Sequence, residues 1–441
     1  MPDRPMTYRN MDLEMTDLGA DGAFRVRVVG QSPGGEMRAD EAERPVFRAG
    51  DFEVLKKLER RRITRDELIT VGERLAGLLL SGRVRALFDA GLQALKANEG
   101  LRLRLRIEPL PLAALPWEFA FVPRTGGEKV PQDFLALRRE ISISRYETIG
   151  PPLKSLGPKE KFRIVLALAS PTDEQELELE KDELAITAAV AQLNEKASGG
   201  LDLDILEHAT RARLLATVKG CDIFHFAGHG IFEGADLAED GRVRRRGKIV
   251  LEKEDGTGER VGSEVLANEL GNAGVRLVVL GACQSAARDE GGAWTGVASA
   301  LVREQIPAVV AMQYKVLDTN ASLLAAHLYR RVLAGATIDE AVFEGRQAIF
   351  NLASPEERDW GVPVLYLRAE DGVLFPPPGE DAQAGRTQSV LARAVINVKE
   401  VEGKLTGIKA KRLRGNAEAT MNLGTVKSGG EATGMEFDEI G

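Results

Sequence analysis

Apolar positions along this 441-residue chain change their spacing several times, and each change predicts a different kind of element. Residues 1–36 are polar apart from an alternating stretch at 24–29, which predicts a strand. Between Phe52 and Asn98 the leucines and valines fall at helical spacing, enough for two or three helices, and Gly100 closes that region. Residues 101–107 alternate strictly, Leu-Arg-Leu-Arg-Leu-Arg-Ile, which predicts a strand with Arg102, Arg104 and Arg106 on one face. That face is expected to be solvated, although it could also suit an anion. Residues 115–121 and 141–146 read as two further strands, and the Gly and Pro residues at 150–152 and 157–158 read as a linker.

From Lys161 the pattern becomes a regular alternation of strand and helix. Buried strands are predicted at 164–168, 203–206, 222–226, 249–251, 277–280, 308–312 and 364–367. Helices are predicted from Pro171 to about Lys196, and at 212–218, 263–270, 295–304, 322–333 and 339–350. Continuous apolar strands separated by helices predict an α/β fold whose mostly parallel sheet is sandwiched by helices. The run from Phe375 to Glu380 ends this region. The tail beyond it is made of short apolar–polar segments punctuated by glycine. It reads either as a small β-ribbon or solenoid able to pair with another chain, or as a partly ordered Gly-rich tail. The expected organisation is an N-terminal strand and helical region (1–100), a central domain (101–376, with leading strands and linker to 158 and an α/β core from 159), and a Gly-rich β-type tail (377–441).

Two of the predicted strands end in reactive side chains. One carries His225-Phe226-Ala227-Gly228-His229-Gly230, the other Leu280-Gly281-Ala282-Cys283-Gln284-Ser285. The chain has only four His and two Cys, so this placement is informative. In a doubly wound sheet both residues fall in the crevice at the carboxyl ends of the strands, where ligands bind. A thiol attacks as its thiolate, and a neighbouring imidazole can take its proton. Backbone N–H groups of the segment after the strand can face both the sulfur and a developing oxyanion. Cys283 is therefore the candidate nucleophile and His229 its base. His225, inside its strand, reads as a core residue, and Cys221 as a bystander. His208 and His327 have no partner signature. No Cys-x-x-Cys spacing supports zinc, and no glycine-rich phosphate loop follows a strand. No metal and no cofactor are expected.

Composition narrows the class. The chain is 44% hydrophobic, 29% charged and only 5% aromatic, with a net charge of −8. That balance fits a globular protein and argues against nucleic-acid binding by charge. Two distant cysteines make no disulfide framework. The first residues lack the apolar core of a signal peptide, and no apolar run reaches bilayer length, so a cytoplasmic protein without membrane contact is expected.

The two segments ending in His229 and Cys283 look like the catalytic motifs of CHAT-domain proteins, caspase-like cysteine peptidases related to separases, metacaspases and gingipains. Leu115-Pro116-Trp117-Glu118 resembles the opening motif of that family. Residues 308–318 resemble the strand and turn after the nucleophile's helix, and Trp360-Gly361-Val362-Pro363 the closing strand. The resemblance covers roughly residues 101–376. It implies a caspase–haemoglobinase fold, Cys283 as nucleophile, His229 as general base, and an oxyanion hole from the backbone N–H groups of Gly230 and Cys283. It requires no third catalytic residue, and none stands out.

In separases an acidic residue in the turn corresponding to Asp318 lines the S1 pocket. By that resemblance Asp318 implies a preference for Arg or Lys before the cleaved bond. Equally, Asp318 could cap the helix that begins near Thr319. The stretch 233–246, acidic first and then basic, reads as an exposed loop, with Arg242 to Arg246 open to self-processing if a basic residue is preferred. The function expected is a regulated endopeptidase for a specific protein substrate, latent until a protein partner engages the N-terminal region or the tail. Bacterial relatives point to defence or programmed cell death. The alternative is a catalytically idle scaffold, against which the intact His–Cys pair speaks. A thioesterase or acyltransferase would use the same pair of residues.

Overall fold

The computed structural model describes residues 5–17, 24–32, 35–43, 49–124, 128–146, 153, 156–159, 161–177, 179–196, 201–237, 243–281, 293–314, 316–352, 358–376, 392–401, 404–410, 417–426 and 431–437. In chain order these form β1 (Thr7–Asp17), β2 (Phe24–Ser32), β3 (Gly35–Glu43), α1 (Ala49–Glu59), α2 (Arg65–Leu79), α3 (Gly82–Gln93), β4 (Glu99–Ile107), α4 (Leu110–Ala113) and β5 (Ile141–Arg145). Next come β6 (Phe162–Leu168), α5 (Leu179–Lys196), β7 (Leu201–Leu206), α6 (Arg211–Thr217), β8 (Ile223–Ala227), β9 (His229–Leu237), β10 (Val243–Glu252), β11 (Gly258–Gly262), α7 (Ser263–Ala273) and β12 (Leu277–Gly281). Then follow α8 (Ala293–Arg303), β13 (Ala308–Met312), α9 (Asp318–Leu333), α10 (Ile338–Leu352) and β14 (Pro363–Leu367). Four strands complete the set: β15 (Ala392–Val401), β16 (Lys404–Ala410), β17 (Ala417–Val426) and β18 (Glu431–Phe437). The chain divides into two compact units, Met1–Pro376 and Pro377–Gly441.

The first unit is built on one sheet of order β3-β2-β1-β4-β5-β14-β13-β12-β8-β6-β7. The strands from β7 to β13 run parallel to one another. So do β14, β5, β4 and β1, and the antiparallel pairing of β13 with β14 joins the two blocks. Successive side chains of a strand lie on opposite faces, and the core divides accordingly. Ile164, Leu166, Ile223, Val279 and Val310 pack with Ile186, Leu328 and Ile349 of α5, α9 and α10. Val165, Phe224, Val278, Leu280 and Val309 pack with Leu214, Leu266 and Val297 of α6, α7 and α8. Helices thus cover both faces of a mostly parallel sheet, as the continuous apolar strands predict.

Three local expectations are corrected. The basic face of β4 is not solvated. β1, which residue patterning leaves unassigned, lies parallel beside it, with Asn10, Asp12 and Glu14 in register with Arg102, Arg104 and Arg106. Arg104 and Arg106 pair with Asp12 and Glu14. Arg102 is fully buried and donates through Nε and Nη2 to Asp339 at 2.8 and 2.5 Å. Three guanidinium groups on a central strand are tolerated because each meets a carboxylate.

Residues 115–121 are not a strand. Pro116 leads into a single 3-10 turn, Trp117–Phe119, and only Phe121 makes a bridge, to Phe134. The buried Glu118 in that turn pairs with Arg145 at 3.0 Å. The helix expected from Pro171 begins at Leu179 instead. Thr172 and Asp173 do not cap it; they bond backbone groups of Gly256, in the turn after β10, and of Gly258, the first residue of β11.

Candidate active site

β8 and β12 lie side by side in parallel, with Ala227 in register with Gly281 at their carboxyl ends. His229 stands two residues beyond Ala227, and Cys283 stands two residues beyond Gly281. Neighbouring strands are about 4.8 Å apart, so the ends of β8 and β12 that lead to these two residues lie side by side. Cys283 itself lies outside the described residues. Gly228 is required at the turn between β8 and β9, because a Cβ there would sit 2.3 Å from the ring of Phe226.

His229 is buried, 2% exposed, and its Nε2 lies 2.7 Å from the carbonyl oxygen of Gln175. A carbonyl only accepts, so Nε2 carries the proton and Nδ1 presents its lone pair. That Nδ1 is buried and has no hydrogen-bond partner among the described residues. Leaving a buried acceptor unpaired costs about 1–3 kcal/mol, and such groups call for a functional account. The segment that carries Gln175 is held through its neighbours. Thr172 N–H donates to the Gly256 carbonyl at 2.9 Å, Gly258 N–H to Asp173 at 2.7 Å, and Leu177 N–H to the Ser170 hydroxyl at 3.2 Å. The turn that receives the first two contains Gly256 at φ +81°, a conformation glycine adopts freely. Residue patterning misses Gln175 because its contribution is a backbone carbonyl, which any residue type supplies.

The other histidines and the described cysteine sit apart from this role. His225 is buried in β8 and bonds Tyr329 of α9 at 2.6 Å, and burial lowers its pKa to about 4. Cys221 is buried, and burial pushes its thiol up to about 12, which makes it a poor nucleophile. His208 bonds Glu252 at 3.0 Å. His327 lies 2.9 Å from Arg330 on α9.

Gly230 follows His229 in β9, in register with Ile249 of β10. Asp318 is the first residue of α9, whose N-cap is Leu317, so it does not occupy the capping position. Asp359 holds that helix end instead, accepting from Leu317 N–H and from Asn320 Nδ2, each at 2.9 Å. The expected loop at 233–246 is also corrected. Residues 234–237 and 243–246 lie in β9 and β10, paired antiparallel with Asp236 opposite Arg244; residues 238–242 lie outside the described residues. Strand pairing there follows from the β9–β10–β11 sheet, a tertiary context that charge patterning does not reveal.

Among the described residues no group of three His, Cys, Asp or Glu could hold a metal ion. None of the described helices is long and apolar enough to cross a membrane.

The model of the CHAT domain matches residues 72–369. The chain belongs to the CHAT-domain family. No curated protein sequence matches this chain. Among solved structures it is similar to two crystal structures of the Saccharomyces cerevisiae separase–securin complex, with TM-scores of 0.44 and 0.42 and identities of 12% and 10%. Each similarity covers 81% of this CHAT protein and 30% of the separase-complex chain, so it spans under a third of that chain's length. The family match takes in both segments that carry the His and Cys, and it begins within α2.

Proposed function

We propose that this CHAT protein is a cysteine endopeptidase with Cys283 as nucleophile and His229 as general base. The observation that carries this reading is the ring of His229: one nitrogen is fixed as a donor to Gln175, and the other is buried and has no partner among the described residues. The Cys283 thiol gives its proton to Nδ1, and the sulfur attacks the scissile carbonyl carbon. The backbone N–H groups of Gly230 and Cys283 stabilise the resulting oxyanion. Nδ1–H then protonates the departing amine, the C–N bond breaks, and water hydrolyses the thioester. The Gln175 carbonyl favours the imidazolium formed midway, since both ring nitrogens are then donors.

Asp318 lines the S1 pocket in this proposal and sets a preference for Arg or Lys in a specific protein substrate. The enzyme is latent until a protein partner engages the N-terminal elements or the tail, in a role in prokaryotic defence or programmed death. The securin complexes concern separase itself; for this chain they support only the idea that a protein partner regulates the site.

Intact mass spectrometry tests the reading. Wild type and Cys283→Ala are each treated with an Arg-directed covalent inhibitor of cysteine peptidases. One adduct on wild type alone is expected. An adduct on both chains would overturn the assignment of Cys283, and a shortened wild-type chain would locate a self-processing cut.

A further inference from the structure

The second unit is a repeat that hydropathy spacing alone does not display. β15 pairs in parallel with β17, from Ala392 opposite Ala417 to Val401 opposite Val426. β16 pairs in parallel with β18, from Lys404 opposite Glu431 to Ala410 opposite Phe437. The path β15–β16–β17–β18 therefore makes two stacked coils of a β-solenoid, with a step of 25 residues in one sheet and 27 in the other. Matched positions repeat residue types: Ala394 with Ala419, Asn397 with Asn422, Thr406 with Thr433, and Ile408 with Met435. Each sheet has two strands, so among the described residues every strand of this unit has one unused hydrogen-bonding edge. Such edges are templates for another chain.

Charge is divided between the coils. β15 and β16 carry Arg393, Lys399, Lys404 and Lys409 against Glu400, and β17 and β18 carry Glu418, Glu431 and Glu436 with no Lys or Arg. Three cations of the first coil share register positions with anions of the second: Arg393 with Glu418, Lys404 with Glu431, and Lys409 with Glu436. The strands of the first coil are thus basic in composition and those of the second acidic. A second tail laid on in the same register repeats every one of these pairings.

We propose that β15–β18 stack head to tail with the same strands of a second copy of this chain, the second coil of one against the first coil of the next. The contact joins two different edges, so it is heterologous and can extend beyond a dimer into a ring or filament. Parallel strand addition supplies main-chain hydrogen bonds, and the alternating charges fix polarity and register. This proposal does not depend on the peptidase reading.

The test uses the full-length chain. Sedimentation velocity of wild type over a range of concentrations is expected to show a species that grows with concentration and dissociates at about 1 M salt, where charges are screened beyond about 3 Å. The sixfold variant R393E/K404E/K409E/E418K/E431K/E436K exchanges the charges of the two coils. It keeps complementarity within and between its own copies, yet presents like charges to wild type. Each protein is expected to capture itself, and mixed capture of differently tagged, purified proteins to fall by about tenfold. Mixed capture equal to self-capture would overturn the proposal. So would a wild type that stays monomeric at every concentration, or one whose assembly ignores salt, and neither result depends on whether the variant folds.

Discussion

His229 donates its Nε2–H to the backbone carbonyl of Gln175 at 2.7 Å, while its buried Nδ1 has no partner among the described residues. The donor bond fixes ring orientation and tautomer together, and the same constraint leaves a lone pair available two residues beyond the end of β8. A histidine that served only packing would be expected to satisfy both nitrogens.

Replacing the base while keeping the donor separates chemistry from structure. In His229→Gln the side-chain amide can still donate to Gln175. Peptidase activity is expected to fall by at least about 10³-fold, as it should in Cys283→Ala. Unfolding free energies from urea titrations are expected to change by about 1 kcal/mol, so the fold is kept. Activity retained in either variant would remove that residue from the mechanism.

Asp318→Ala addresses selectivity. A carboxylate bonded to a basic side chain is worth about 1.5–3 kcal/mol. Loss of it should lower kcat/KM for Arg and Lys substrates about 10- to 100-fold, with little change for a neutral residue at that position. A peptide-library profile that keeps its shape would separate Asp318 from specificity.

The pair His225–Tyr329 predicts acid sensitivity. Burial lowers the His225 pKa to about 4, against about 6.5 in the unfolded chain. The unfolded state therefore binds the proton more readily between those values, and stability is lost as pH falls from about 6.5 towards 4. The contribution is about 3 kcal/mol at most. Urea titrations from pH 7 to pH 4 should show a steeper loss in wild type than in His225→Gln, and parallel curves would contradict it.

Arg102 and Asp339 form a fully buried pair, reinforced by Ser142, which donates its hydroxyl to Asp339 at 2.5 Å. Asp339→Ala strands the guanidinium and should cost about 3–5 kcal/mol, while Arg102→Met with Asp339→Leu should recover part of that loss. Gly372→Ala should also destabilise. Its φ is +75°, and a Cβ would lie 2.5 Å from Asp339 Oδ2 and 2.7 Å from Arg102 Nη2. Denaturant unfolding reads all three variants.

Much of this protein is legible in its residues. The runs at 164–168, 277–280 and 308–312 are apolar at every position because their strands are buried on both faces, and their alternation with helices specifies a sheet covered on two sides. The motifs ending in His229 and Cys283 are local, so they too are visible. Tertiary structure decided what depends on distant partners. The arginines of β4 look like a solvent face until Asp12, Glu14 and Asp339 arrive from elements 92 and 237 residues away in sequence. The charged run after His229 looks like a loop until β9, β10 and β11 pair. The orienting partner of His229 is a carbonyl, identical in every residue type, and only the fold that carries Gln175 to it gives it a role. Sequence records side-chain chemistry and local spacing; backbone groups and long-range charge pairs acquire meaning only when folding brings them together.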